Sequence, residues 1–351
     1  MVLTEIANTR EPLKLITLEY SIEEHGHFVA EPIIEMFCRD TSGERRLIEV
    51  EGFYPYFYVT EREFQRHQMD LLQESMVRTI ELDKRLTTKD MRMNGSIRAV
   101  NGPPKQTLHD EPLVKIETIK PSQVAKLRDV FDNTWEADVF FVNRFLVDTG
   151  ITWGLTVPLG ESRIHINDIE VLDDDDAPDI APRIHTVDIE VWSGGAFPDP
   201  EEAIKPITAI TAHDSYSEKY FCGVLDPNAV SQGEDHSWPQ GITWEMPAGV
   251  DHVDVTVYDD ENTMLAAYIE FMQQTDPDLL TGWNSSSNDI GTGFDYPYII
   301  NRAQRINEWS INDLAYDNGG VFVTGRGDAV IAGCEMFDML QAYKKTQIHE
   351  K

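Results

Sequence analysis

Lysine is the scarcest of the common charged residues in this chain. Its 351 residues hold 12 Lys and 17 Arg against 62 acidic side chains, a formal net charge of -33 with a pI near 4.5. So few cations argue against a basic groove as the means of holding nucleic acid or an anionic membrane. Cysteine is almost absent. Cys38, Cys222 and Cys334 are far apart and form no Cys-x-x-Cys pair, which excludes a zinc ribbon or a disulfide scaffold and fits a reducing cytoplasm. No apolar run approaches the roughly 20 residues that cross a bilayer, so no membrane partner is expected. The segment Met1 to Lys14 lacks the apolar core of a secretory leader. Ten histidines show no His-Glu-x-x-His spacing that would mark a zinc site.

What stands out is a strand with acids on one side. In His185-Thr186-Val187-Asp188-Ile189-Glu190-Val191-Trp192, Val187, Ile189 and Val191 alternate with the polar set, and this period of two predicts a strand over 184 to 192. Positions i and i+2 of a strand point the same way, so Asp188 and Glu190 leave one face while the aliphatic residues pack the other. Two carboxylates held that close repel unless a cation lies between them, and a divalent metal serves best. Alone, the pair fits a solvated edge strand better than a metal site.

A second segment lies about ninety residues on. Asp276-Pro277-Asp278-Leu279-Leu280-Thr281-Gly282-Trp283-Asn284 reads as an Asp-Pro turn and a short buried strand ending at Asn284. Phe294-Asp295-Tyr296-Pro297-Tyr298-Ile299-Ile300 then opens a helix, with Asp295 at the N-cap and Pro297 in the first turn. A carboxylate at a helix N-terminus is favoured as the anion, as a metal ligand must be, and equally as a plain cap.

Together these segments resemble the 3′–5′ proofreading exonuclease domain of family B DNA polymerases, the archaeal ones especially. Val187-Asp188-Ile189-Glu190 is similar to the first exonuclease motif, and Asp276 to Asn284 with Phe294 to Ile299 to the second. Upstream, Phe53-Tyr54-Pro55-Tyr56-Phe57-Tyr58-Val59, Asp138-Val139 and Arg144 to Ile151 match segments of the archaeal enzymes. Downstream, Gly333 and Phe337-Asp338-Met339-Leu340 fit the stretch before the third motif. The resemblance implies two-metal phosphodiester hydrolysis with two Mg²⁺ or Mn²⁺ ions. It implies that Asp188, Glu190 and Asp295 are the catalytic and metal-binding acids, and that Asn284 and Phe294 contact the terminal nucleotides. The implied partners are a single-stranded DNA 3′ end and primer-template DNA, with a separate polymerase chain or a sliding clamp as further candidates. Archaeal relatives also sense template uracil in an N-terminal pocket, and Pro55 and Pro112 fall near the matching segments.

Three departures qualify the resemblance. Residues 285 to 293 lengthen the spacing between Asn284 and Phe294 by about six and read as a solvated Ser/Asn/Gly surface loop. Cys334 stands where the family often has arginine. No Tyr-x-x-x-Asp follows Asp188 among these residues, and the polymerase aspartates are absent too. The expectation is therefore the front part of a polymerase, weakly active or inactive alone unless a second polypeptide supplies the missing groups or Asp328 or Asp338 stands in. A non-catalytic DNA-binding remnant is the alternative.

The acidity then reports habitat. A carboxylate-rich, lysine-poor surface suits molar salt, where the Debye length falls to roughly 3 Å and self-repulsion is screened. Basic contacts to phosphate gain little in such salt, which leaves metal bridges, base stacking and backbone hydrogen bonds. The expected fold class is α/β (α+β), with a mixed α+β domain at 1–155 and a ribonuclease-H-like exonuclease domain at 156–351. Strands near 184–192, 206–213, 219–225 and 253–258, then helix, strand and helix, support the second. In the first, helices are expected over Glu61 to Ile80 and Pro121 to Phe131. Asp173 to Asp176 reads as an acidic surface loop, and His185 as a packing or surface residue.

Overall fold

The structure is a computed structural model. It describes residues 9–25, 29–89, 91, 95–193, 195–226, 254–286, 293–306, 310–316 and 319–347. The chain divides into two compact units, Met1–Ile180 and Ala181–Lys351.

The first unit holds two sheets. Strands β1 (Arg10–His25), β2 (Val29–Asp40) and β3 (Arg45–Glu51) form an antiparallel meander. Strand β4 (Tyr56–Thr60) leads into helix α1 (Glu61–Gln73), capped by Thr60 Oγ1, which accepts the Glu63 N–H at 3.1 Å. Strands β5 (Val77–Asp83), β6 (Ile97–Val100), β7 (Lys105–Gln106) and β8 (Pro112–Thr118) follow. They build the second sheet in the order β4-β8-β5-β6, with β7 on β8. The helix expected to reach Ile80 thus stops at Gln73. Val77, Ile80 and Leu82 are spaced for burial on a strand, and pairing with β8 outweighs helical continuation. Helices α2 (Pro121–Arg128) and α3 (Phe141–Thr149) come next, then strands β9 (Gly154–Pro158), β10 (Arg163–His165) and β11 (Glu170–Val171).

The first sheet runs β10-β3-β2-β1-β9-β11, and Phe141 and Phe145 of α3 pack on it with Leu13, Ile34, Met36 and Phe53. The boundary drawn at 155/156 therefore cuts β9. Residues 154–158 pair with Arg10–Lys14 of β1, which ties the stretch up to Ile180 into the first unit. Asp173 to Asp176 is an exposed turn, as expected of an acidic surface loop.

The second unit holds a six-stranded mixed sheet and a two-stranded hairpin, with two helices packed on the sheet in one core. Its strands are β12 (Ile184–Val191), β13 (Ile207–Asp214), β14 (Lys219–Leu225) and β15 (Thr256–Tyr258). Helix α4 (Glu261–Thr275), β16 (Leu279–Gly282), helix α5 (Asp295–Ile306), the hairpin β17 (Val321–Val323)–β18 (Ala329–Ile331), β19 (Glu335–Asp338) and helix α6 (Met339–Gln347) complete it. The sheet order is β15-β14-β13-β12-β16-β19. Met264, Leu265, Tyr268, Ile269 and Met272 recur at helical spacing on α4, and Tyr296, Ile299, Ile300 and Ala303 on α5. Both stripes join Val187, Ile189, Ile210 and Leu280 in one core, each buried aliphatic side chain contributing roughly 1.5–3 kcal/mol. This mixed α/β architecture is the expected class.

An ion-paired knot sets the register between β12 and β16. The Arg183 guanidinium reaches both Asp214 oxygens at 2.7 Å. The Arg183 N–H donates to Asp278 Oδ2 at 2.7 Å, and its carbonyl accepts the Asp278 and Leu279 N–H groups. Burial would raise the Asp214 carboxyl, but Arg183 and Ser217 hold it far below the usual carboxylate range.

Candidate active site

Asp188 and Glu190 emerge on the exposed face of β12, while His185, Val187 and Ile189 are buried on the other. The predicted alternation is borne out by this burial. Their antiparallel partners on β13 are Thr211 and Ala209. Strands β12 and β16 run parallel but pair only through Thr186–Thr281, so beyond that point Ile189 has no β16 neighbour. Asp295, the first residue of α5, fills the place: its Oδ1 accepts the Ile189 N–H at 3.1 Å. The carboxyl expected to cap its own helix instead closes the gap where two strands part, between the positions of Asp188 and Glu190. It is only 3% exposed. Burial first, then the charges of Asp188 and Asp338, push Asp295 up to about 7, against the opposing Ile189 hydrogen bond.

Gly282 permits this approach. A Cβ there would stand 2.5 Å from the Val187 carbonyl oxygen and 2.7 Å from Ser285 Cβ. Asn284 follows in the left-handed region at φ 61°, which asparagine tolerates better than most side chains. Its carbonyl accepts the Phe294 N–H at 2.6 Å. The Phe294 ring lies 5.4 Å from Tyr298 and 5.2 Å from Phe197. Ser285 and Ser286 are buried, unlike the solvated loop expected, because their carbonyls accept N–H groups from Tyr296 and Ala329. Residues 287–292 of that loop lie outside the described residues.

Asp338 ends β19 beside Gly282 and is 7% exposed. Its Oδ1 accepts N–H groups from Asn284 (3.2 Å), Leu340 (2.9 Å) and Gln341 (3.3 Å), and its Oδ2 that of Ser286 (3.1 Å). Those bonds occupy the carboxylate, so it is poorly placed to replace a missing catalytic acid. Asp328 caps a turn at Thr324.

Asp188, Glu190, Asn284 and Asp338 thus gather at the carboxyl ends of three mutually parallel strands, where open α/β sheets bind ligands. Asp295 joins them from the start of α5. Among the described residues, no three His, Cys, Asp or Glu side chains, as placed, stand close enough to hold one ion. The donor chemistry still suits a hard divalent cation, since all donors are oxygen; burial and like charge raise Asp295 to about 7, so a cation there would take the place of a proton. His185 is fully buried against Phe271, so of the packing and surface roles expected for it the structure gives packing.

Pro55 and Pro112 do not meet. The β4–β8 ladder runs from Tyr56–Glu117 to Thr60–Leu113, and the two prolines lie past its opposite ends, roughly 17 Å apart or more at ~3.4 Å per residue. They do not line one pocket. Reading the sequence missed Phe197, which sits in a Gly/Pro-rich loop with no periodicity to mark it and is 83% exposed. It also missed the clamp made by Asp338. Gly282 carried a signal, a glycine at a strand end where backbones approach.

The fold is a mixed α/β domain with acids at the carboxyl ends of its parallel strands. The family model "DNA polymerase family B, exonuclease domain" matches residues 132–349, and the chain belongs to that family. It is similar to the DNA-directed DNA polymerase of Escherichia phage RB69, 35% identical over 133 residues, which is 35% of this chain and 14% of the phage protein. It is 26% identical over 322 residues to the DNA polymerase delta catalytic subunit of Dictyostelium discoideum, covering 78% of this chain and 26% of that one. The family B DNA polymerase of the archaeon Pyrobaculum calidifontis superposes with a TM-score of 0.65 at 18% identity, over 94% of this chain and 36% of that chain. The chain therefore spans between about a seventh and a third of these relatives. No helix among the described residues is long and apolar enough to cross a membrane.

Proposed function

We propose that the second unit carries a 3′–5′ exonuclease site acting on DNA 3′ ends. Asp188, Glu190 and Asp295 would hold two divalent ions, Mg²⁺ or Mn²⁺. The observation behind this is the Asp295 carboxyl seated on the Ile189 N–H, between the two strand acids and under the charge of Asp188.

When bound, such ions supply an activated water and neutralise the leaving 3′ oxygen. The chain's own residues do the rest. Asp188 and Glu190 present carboxylate oxygens from a strand whose other face is locked in the core, so they are fixed before substrate arrives. Asp295 is dry and negatively surrounded, which raises its affinity for a proton, so a cation bound there would displace that proton. Phe294, with Phe197 against it, offers rings on which terminal bases stack, a contact that molar salt screens little. Asn284 meets the terminal nucleotide by hydrogen bonding. Residues completing the site would come from sequence outside these 351, and so would polymerase or clamp contacts.

The test is end-dependent binding and cleavage of single-stranded DNA in molar KCl. Tight binding of a 3′-hydroxyl oligonucleotide in Ca²⁺, weakened in Asp188→Ala, supports the site; equal binding by both contradicts it. Vigorous Mn²⁺-dependent digestion by wild type alone, lost in Asp188→Ala, would support the site and overturn the expectation of outside residues.

A further inference from the structure

Asn284 is held from both sides. Its carbonyl takes the Phe294 N–H, and its own N–H goes to Asp338, on a strand fifty-four positions away in sequence. A non-glycine residue at φ 61° persists only where its surroundings over-determine it. Here the over-determination is the Asp338 carboxylate, which gathers four backbone N–H groups, two from the Asn284–Ser286 turn and two from the first turn of α6. An amide could not do the same. Its NH₂ accepts nothing and would confront at least one of the four donors.

We propose that Asp338 is the positioning residue of this site. It fixes the left-handed Asn284 and, through the Phe294 N–H, the entry to α5, so that the nucleotide contacts and Asp295 are set by one buried carboxylate. The relay runs from the end of β19 to the turn after β16 and on to the start of α5. It is distinct from ligation, since all four bonds go to the protein backbone. The proposal rests on the exonuclease reading of the same site.

The experiment compares a linear single strand bearing a 3′-hydroxyl with a circular single strand of equal length, in Ca²⁺ and molar KCl, by fluorescence anisotropy. Wild type should prefer the linear strand. Asp338→Asn should lose that preference by about tenfold while keeping its affinity for the circle, which a general loss of structure would not spare. Asn284→Ala should do the same, and the double variant should be no worse than either single one. Should Asp338→Asn fail to fold, Asp338→Glu, which displaces the acceptor by one methylene, takes its place with the same expectation. A wild type without end preference sinks the exonuclease reading, and this inference with it. A wild type with end preference that Asp338→Asn retains, or single effects that add in the double variant, overturns the positioning role alone.

Discussion

Three residues before Asp188, His185 is wholly buried, and neither ring nitrogen has a protein hydrogen-bond partner. Asp214 Oδ1 lies 3.6 Å from its Nε2, but that carboxylate is already spent on Arg183. Burial first, then Arg183 and His213, push the imidazole down to about 4, against the pull of Asp214. Below about pH 6.5 the unfolded chain binds a proton that the folded chain refuses until about pH 4. This group's contribution is therefore complete above pH 6.5 and is lost as pH falls through that window, by up to about 3 kcal/mol. His185→Phe keeps a ring on Phe271 and removes the proton. Urea unfolding at pH 7 and pH 5 should show a smaller acid loss in the variant than in wild type; an equal loss contradicts the assignment. Gly282 makes a second case at this scale. Gly282→Ala puts a methyl 2.5 Å from the Val187 oxygen and should lower stability by about 1–3 kcal/mol in the same assay. The alternation that exposes Asp188 and Glu190 was readable because it is local. The seat of Asp295 was not, since it depends on where β16 leaves β12.

Elements joined by neighbours in sequence were the legible ones. The strand at 184–191, the strand at 219–225 and the helix at 261–275 follow from periodicity within a few residues. Gln73 ended the first helix early because β8, some forty residues on, competes for residues 77–83. β10 and β11 are too short to show a period, and they moved the unit boundary from 155 to 180. The two-proline pocket failed for a related reason: segments similar to a family's can be close in a ladder and yet place chosen residues at its two ends. The Arg183 knot is the element-scale device most open to trial, because it binds the starts of β12 and β16 to the end of β13. Arg183→Ala leaves Asp214 buried without its cation and should cost about 3–5 kcal/mol, more than a surface ion pair would. Denaturant unfolding checks this, and a cost under about 1 kcal/mol would show that the pair is solvated.

At the scale of the molecule, a net charge of -33 makes folding a matter of screening. The Debye length is about 8 Å at 0.15 M salt and roughly 3 Å at 1 M, so repulsion across either unit should fade over that range. The thermal midpoint should climb steadily from 0.2 to 2 M KCl, to be followed by circular dichroism; a midpoint indifferent to salt would contradict the molar-salt reading of the composition. The acids of the site differ from this general surface because one of them is buried and faces others. Cation binding separates the two kinds of carboxylate. Calorimetric titration of Mn²⁺ into the protein in 2 M KCl should give saturable binding in wild type that disappears in both Asp188→Asn and Asp295→Asn. Heats that never saturate, or binding that survives both substitutions, would contradict the account.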